Sequence, residues 1–295
     1  LDNFIIANKA DLKADVVVIS DSPMFDRGIP SICYGLRGLA YFQIDLRGSK
    51  SDLHSGSFGG AVANPAMVLA QILSQMKDKS GRIKIDGFYD DVVDLRPEER
   101  AEWEKLPFNE KKYRQDLGAP KLFGETGYST LERVWARPTF EVNGLLSGFT
   151  GEGAKTVLPG KASAKVSFRL VGDQDPNKIR DAFRAFVKAR LPVDCTVEFA
   201  NFADSRALAL DFHNPVVDKA RAALADEWGK RAVTVGAGGS IPIVGDFKTV
   251  LGMDSLMVGF ALDDDRVHSP NEKFDLKCFH KGTRSWARIL AALSA

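Results

Sequence analysis

Val16-Val17-Val18-Ile19-Ser20-Asp21-Ser22-Pro23 sets the terms for the fold. Four β-branched residues in a row, without polar alternation, predict a short strand buried on both faces, as in a parallel sheet. The turn Ser-Asp-Ser-Pro ends it and puts Asp21 at the carboxyl end, the edge where open α/β sheets place their ligands. From residue 39 the pattern changes. Ala40, Phe42, Ile44 and Leu46 alternate with Tyr41, Gln43, Asp45 and Arg47, the mark of a strand with one wet face. Next, Asn64-Pro65 supplies a cap and first turn for a helix carrying Leu69, Ile72, Leu73 and Met76. Strand-like segments recur at residues 139–143 and 162–170. A helical pattern (Ile179, Phe183, Phe186, Val187) follows Pro176, and residues 195–199 read as a closing strand. The order β-α-β-β-α-β is the split βαβ, ferredoxin-like arrangement.

After about residue 207 the α/β pattern returns. It predicts a helix from Pro215, a strand over 232–235, a glycine turn over 236–240, a strand over 255–260 and a last helix from about Asp275. The expectation is one α/β domain made of residues 1–37 and 207–295, split by a smaller α+β module at 38–206. Residues 80–137 interrupt that module between its first helix and second strand. They are charged and aromatic, with helical patches at 96–106 and 109–117, and read as an elaborated surface extension rather than a third domain.

Composition narrows the class. The 295 residues are 44% hydrophobic and 27% charged, an ordinary globular balance with length for about two domains at roughly 150 residues each. Lys and Arg number 40 against 39 Asp and Glu, a net +1, which argues against a broad nucleic-acid surface. No apolar run approaches the roughly 20 residues of a membrane helix. Cys33, Cys195 and Cys278 lie far apart without a CxxC pair, so neither a disulfide framework nor a thiolate zinc site is indicated. There is no N-x-[ST] sequon. The chain starts Leu-Asp-Asn-Phe, so any targeting segment would lie outside it.

Four histidines are available for chemistry: His54, His213, His268 and His280. His268 lies among carboxylates in the 263–272 loop after a predicted strand. It reads either as a metal ligand or general base, or as a histidine in a solvated acidic loop. Asp21 could share that sheet edge, or be a turn residue before Pro23. Two such donors do not make a zinc site, which takes three protein ligands or more. His54 sits in a glycine-flanked loop, where functional side chains are common; the plainer reading is a loop histidine bonding its own backbone. His280 falls inside the last helix and reads as structural.

Gly236-Ala237-Gly238-Gly239-Ser240 follows a strand and could offer backbone N–H groups to an anion. It is not a dinucleotide fingerprint, because Ile241 stands where the third glycine belongs, and it lacks a P-loop lysine. Nor is Ser240 a nucleophile elbow, since Pro242 stands where that motif needs glycine. Arg169, on the wet face of its strand, reads as a bidentate carboxylate clamp or as an ordinary surface arginine.

Together, "VVVISDSPMF", "YGLRGLAYFQIDLRGSKSDLHSGSFGGAVANP", "ARPTFEVNGLLSGFTGEGAKTVLPGKASAKVSFRLV", "GAGGSIPIV" and "VHSPNEKF" resemble the dinuclear metallopeptidases of the aminoacylase, acetylornithine deacetylase, carboxypeptidase G and carnosinase type. The long insert and the "DLHSG" loop look most like the carnosinase-like dipeptidase branch, and the resemblance covers essentially the whole chain. It implies an α/β, zinc-peptidase-like catalytic domain split by an inserted ferredoxin-like dimerisation or lid domain. It further implies a homodimer and two divalent metal ions, zinc first, with manganese or cobalt as alternatives. The implied substrate is a dipeptide or N-acyl amino acid, without a nucleic-acid or membrane partner, in a cytoplasmic setting.

By the same resemblance, Asp21 matches the carboxylate ligand of one metal and His268 the imidazole ligand of the other. His54 matches a lid histidine that reaches into the partner subunit's active site and polarises the scissile carbonyl. Arg169 and Thr156 match lid residues that hold the substrate's terminal carboxylate, and Ser240, with Gly238 and Gly239, matches the catalytic-domain wall of that pocket. Two departures stand out. The family's His-x-Asp motif and Glu-Glu pair would precede Leu1, so the chain alone is expected to be inactive. Ala237 also stands where carnosinase-like members often carry an acid, and Asp211-Phe212-His213-Asn214-Pro215 reads with His and Asn exchanged. Alternatives are an aminoacylase or carbamoyl-type amidohydrolase on the same scaffold, or a catalytically incomplete dimerisation fragment.

Overall fold

Two sheets divide the chain. The computed structural model describes residues 1–210 and 213–294, with Asp2 by its backbone alone. Asp211 and Phe212, part of the 211–215 motif read above, lie outside the described residues. The chain opens with helix α1 (Asp2–Ala7) and strands β1 (Val16–Ile19) and β2 (Ser31–Leu36). The middle holds β3 (Gly38–Arg47), β4 (Leu53–His54), α2 (Ser55–Phe58), α3 (Pro65–Ser74), α4 (Pro97–Glu104), α5 (Glu110–Asp116) and α6 (Thr130–Trp135). It continues through β5 (Thr139–Ser147), β6 (Val157–Leu158), β7 (Lys161–Leu170), α7 (Pro176–Lys188) and β8 (Thr196–Ser205). The last part has β9 (Leu208–Ala209), α8 (Pro215–Trp228), β10 (Val233–Ala237), α9 (Pro242–Thr249), β11 (Asp254–Met257) and α10 (Leu276–Ser294).

The first sheet runs β1-β11-β2-β10, with β9 added on β2. β1 pairs with β11, and β10 with β2, in parallel. The second sheet runs β5-β7-β3-β8 and is antiparallel throughout. Relabelled by position, that is the ferredoxin-like order predicted from patterning. Along β3 the even-numbered residues from 38 to 46 are buried, so Phe42, Ile44 and Leu46 meet α3 and α7 while the odd-numbered residues stay wetter. Phe42 stacks on Phe183 at 5.5 Å, and Phe168 abuts both. Aromatic contacts of this kind add to the area term that drives burial.

Three helices start by one device. Asn64, Asp175 and Asn214 each accept the N–H two residues on (Ala66, Asn177, Val216), and a proline follows in the first turn. The side-chain oxygen satisfies an otherwise orphaned donor, and proline forfeits nothing there.

Two expectations need correction. β1 is not buried on both faces: Val18 is 40% exposed, because among the described residues its ladder runs on one side only, to β11. Residues 80–137 are more than a surface extension. Trp103 is buried, meets Trp135 edge-on at 5.0 Å and Tyr34 at 6.3 Å, and belongs to the core under the first sheet. The segment is pinned by Arg137, which donates to Glu125 (2.8 and 3.0 Å) and Asp94 (2.6 Å). Arg137 and Glu125 are both buried, which charge tolerates only with such pairing. No helix among the described residues is long and apolar enough to cross a membrane.

Candidate active site

β1 and β11 run parallel and bring their carboxyl ends to one edge of the first sheet, while β2 and β10 run the other way. Gly259 lies against the Ser22 backbone so closely that no side chain fits there. Beside that crossing the Met24 N–H donates to the Ala261 carbonyl at 2.8 Å. The loop carrying Asp21 and the loop leading to His268 therefore run side by side. A cleft of about 520 Å³ opens at this edge. Asp21, Asp26 and Asp263 border it on the sheet side, and the turn Gly238-Gly239-Ser240 forms another part of its lining. The insert supplies Phe108, Lys112, Tyr113 and Trp135. Burial, and then the Asp26 carboxylate, push Asp263 above the ordinary carboxylate range. A hydrogen bond to Asp116 raises Lys112, with smaller contributions from the charges of Asp116, Asp26 and Asp263.

The acidic run 263–265 divides its labour. Asp265 is buried and accepts from the Leu262 N–H (2.7 Å) and Lys273 Nζ (2.7 Å), which pins the loop. Asp264 pairs with Arg27 at 3.4 Å and with Lys273 at 3.2 Å. His268 is exposed, in the left-handed region at φ 61°, and lies outside the cleft lining. Asp21 and His268 are donor types that suit a divalent metal. Among the described residues, however, no three His, Cys, Asp or Glu side chains converge on a point that could hold one. These residues alone do not fit a complete metal centre.

Arg169 and Ser240 do come together. Arg169 Nη1 donates to Ser240 Oγ at 3.0 Å, joining β7 of the second sheet to the glycine turn after β10. Ser240 Oγ in turn donates to the Arg37 carbonyl at 2.5 Å, so its lone pair faces Arg169 and its proton is already engaged. The turn is glycine-rich for steric reasons. A Cβ at Gly236 would lie 2.8 Å from Trp135 Cβ, and one at Gly238 would lie 2.8 Å from the Val134 carbonyl.

His54 and Thr156 form a second pair, on the two-stranded ribbon β4–β6. His54 Nδ1 accepts the Gly56 N–H at 3.1 Å, and Nε2 lies 3.3 Å from Thr156 Oγ1. Because Nδ1 accepts, the proton of the neutral ring sits on Nε2. Neither residue lines the cleft of its own chain. His280 lies exposed on α10 against the Phe279 ring, away from these groups. Sequence reasoning missed Arg37 and the insert's cleft wall. The capping box Ser129–Glu132 at the start of α6 was the local signal for the latter.

Comparison with known proteins agrees with this layout. A family model described as the peptidase dimerisation domain matches residues 34–195. The Cys-Gly metallodipeptidase of Candida albicans is 34% identical over 278 residues, 92% of this chain and 57% of that protein. The human Beta-Ala-His dipeptidase is 29% identical over 293 residues, 95% of this chain and 56% of its own length. A solved M20 family metallo-carboxypeptidase from Sulfolobus solfataricus superposes with a TM-score of 0.88 at 29% identity, covering 98% of this chain and 66% of that one. The chain thus spans less than three fifths of the length of these two curated relatives. Since the family match takes in more than half of the chain, including most of the ferredoxin-like sheet, the chain belongs to the M20 peptidases, in their carnosinase-like branch.

Proposed function

We propose that the protein is a metal-dependent hydrolase that cleaves the amide bond of dipeptides with a free terminal carboxylate. The observation that carries this reading is the Arg169–Ser240 bond, which sets a guanidinium of one domain, without an ion-pair partner among the described residues, against the cleft-lining turn of the other. In this reading residues 1–37 and 207–295 form the catalytic domain and 38–206 the lid. A carboxylate would take the Arg169 N–H groups that Ser240 leaves free, in charge-assisted bonds. The apolar wall of Phe108 and Tyr113, 5.4 Å apart, would exclude water from the side-chain end of the substrate. The dipeptidase reading is preferred to the amidohydrolase one because both curated relatives carry dipeptidase names.

The relatives' names imply divalent metal, and Asp21 and His268 are the groups of this chain that we assign to it, zinc being the first candidate. When bound, such ions activate water near neutral pH and stabilise the oxyanion. We further propose that the active unit is a homodimer built through the lid. β5 is an edge strand with Val142, Leu145 and Leu146 exposed, a surface that a second copy would cover. His54, which does not line its own cleft, would then present its Nε2–H to the partner's substrate carbonyl, with Thr156 orienting the ring. Three buried, unpaired cysteines suit a reducing, cytoplasmic setting.

The test is a panel of dipeptides, their C-terminal amides and N-acyl amino acids, assayed on the full-length protein before and after chelation. Chelator-sensitive cleavage confined to free-acid dipeptides is the expected result. Equal cleavage of acids and amides, or preferred cleavage of N-acyl amino acids, would overturn the reading.

A further inference from the structure

Arg37 joins the two sheets, between β2 and β3. Its side chain spends its donors on backbone: Nε donates to the Gly238 carbonyl at 3.1 Å, and Nη1 reaches the carbonyls of Arg137 (3.3 Å) and Arg133 (3.5 Å). Its own backbone is tied to the same turn. The Arg37 N–H donates to the Ala237 carbonyl at 3.3 Å, and its carbonyl accepts from Ser240 Oγ. The guanidinium lies against Gly238, where a Cβ would come 3.0 Å from Nη2. One side chain thus fastens hinge, glycine turn and insert together.

The charge pattern is unusual. Among the described residues neither Arg37 nor Arg169 has an ion-pair partner, yet the two are close enough to repel. Burial, with the Arg169 charge second, brings Arg37 down to about 10, so it stays a cation at neutral pH. The Glu141 carboxylate offsets this only as the smallest contribution and is itself paired with Lys77 at 3.1 Å, so two neighbouring guanidiniums make a locus that an anion relieves.

We propose that Arg37 is the positioning residue of the terminal-carboxylate site, holding Ser240, and through it Arg169, in register for a carboxylate that Arg37 itself does not touch. This rests on the carboxylate reading above and deepens it. The route is a continuous series of bonds: Arg37 to the Gly238 carbonyl, Ser240 Oγ to the Arg37 carbonyl, Arg169 to Ser240 Oγ. Neutralising Arg37 leaves the turn free to drift, and Arg169 loses its alignment rather than its charge.

The experiment uses the full chain with N-acetylglycine and N-acetylglycinamide as probes, binding being read by calorimetry. Wild type should prefer the acid. Arg37→Gln should weaken the acid about tenfold and the amide hardly at all, on the scale of a lost buried hydrogen bond. In an Arg169→Ala background the same change should cost nothing further, which a merely structural role does not predict. Arg37→Lys, which keeps the charge but not the three-carbonyl geometry, serves should Arg37→Gln fail to fold, with an intermediate loss expected. Equal losses for acid and amide, additive losses in the double variant, or no acid preference in wild type would overturn the proposal. Dipeptide turnover by wild type is measured separately, so a failure of the hydrolase reading shows up there and not in the acid-to-amide ratio.

Discussion

Gly238 and Gly239 are neighbours in sequence and opposites in packing, and replacing each by alanine tests the architecture of the cleft wall. At Gly238 the added Cβ would meet the Val134 carbonyl at 2.8 Å and Arg37 Nη2 at 3.0 Å. Neither neighbour can yield cheaply. Val134 is backbone in the last turn of α6, and Arg37 is pinned by three carbonyls. Overpacking of this kind costs about 1–3 kcal/mol, or roughly 2 to 12 °C in Tm for a chain of this size. At Gly239 the same atom meets nothing within 4 Å, and the residue is not among those with positive φ. Gly239→Ala should therefore stay within about 0.5 kcal/mol of wild type. The assay is thermal unfolding of both variants side by side, with the acid-to-amide ratio as a second readout. Gly238→Ala should lose that ratio as well, since Ser240 moves with the turn. A Gly238→Ala that melts with wild type, or a Gly239→Ala that falls as far, would refute the reasoning.

Other predictions address the remaining groups. Arg169→Ala should raise KM for free-acid dipeptides roughly 30- to 4,000-fold, the equivalent of about 2–5 kcal/mol for a lost charge-assisted pair, while amides change little; steady-state kinetics on matched acid and amide substrates decide it. His54→Ala should lower kcat about 100- to 1,000-fold with normal metal content, and refolding it with Asp21→Asn should restore activity in heterodimers; mixtures as inactive as either parent would place His54 outside trans catalysis. Asp265 is pushed up by burial, yet the Lys273 ammonium and the Leu262 N–H bring it below the ordinary carboxylate range. A carboxyl depressed in the folded state contributes stability that is complete above about pH 4 and is lost as pH falls through the folded value. Asp265→Asn should thus remove that part of the acid sensitivity and speed amide exchange across residues 262–273; unchanged exchange would show that Asp265 does not pin the loop.

The ferredoxin-like module was legible because its signals are local. Alternation along β3 and β7 and the Asx-Pro starts of α3 and α7 each lie within a dozen residues. β2 was missed for the converse reason. Ser31–Leu36 is almost wholly buried, so it has no wet face to alternate with, and Gly35 and the preceding Pro30 read as breakers. The insert's role in the cleft was illegible because it depends on Trp103 and Trp135 packing against Tyr34 and Gly236, contacts that a charged local pattern conceals. Arg37 carried no signal at all. Its partners lie 96 to 201 residues away and are backbone carbonyls, which no side-chain pattern records.

His54 shows why local and functional readings of one residue need not compete. The sequence left two options, a loop histidine bonded to its own backbone or a catalytic donor. The structure has the first: Gly56 N–H donates to Nδ1. That bond is also what the second would require. A histidine acting as hydrogen-bond donor to a developing oxyanion must keep its proton on the outward nitrogen, and a ring free to exchange tautomers would spend part of its time presenting a lone pair instead. With Nδ1 committed as an acceptor, Nε2–H is the donor before any substrate arrives, and Thr156 Oγ1 at 3.3 Å is its resting partner. Gly56 can serve because it carries no side chain to crowd the ring: a Cβ there would meet His54 Cε1 at 3.0 Å and Nδ1 at 3.2 Å. The backbone bond would therefore be the preorganisation that the proposed catalytic role needs, supplied by the glycine two residues on.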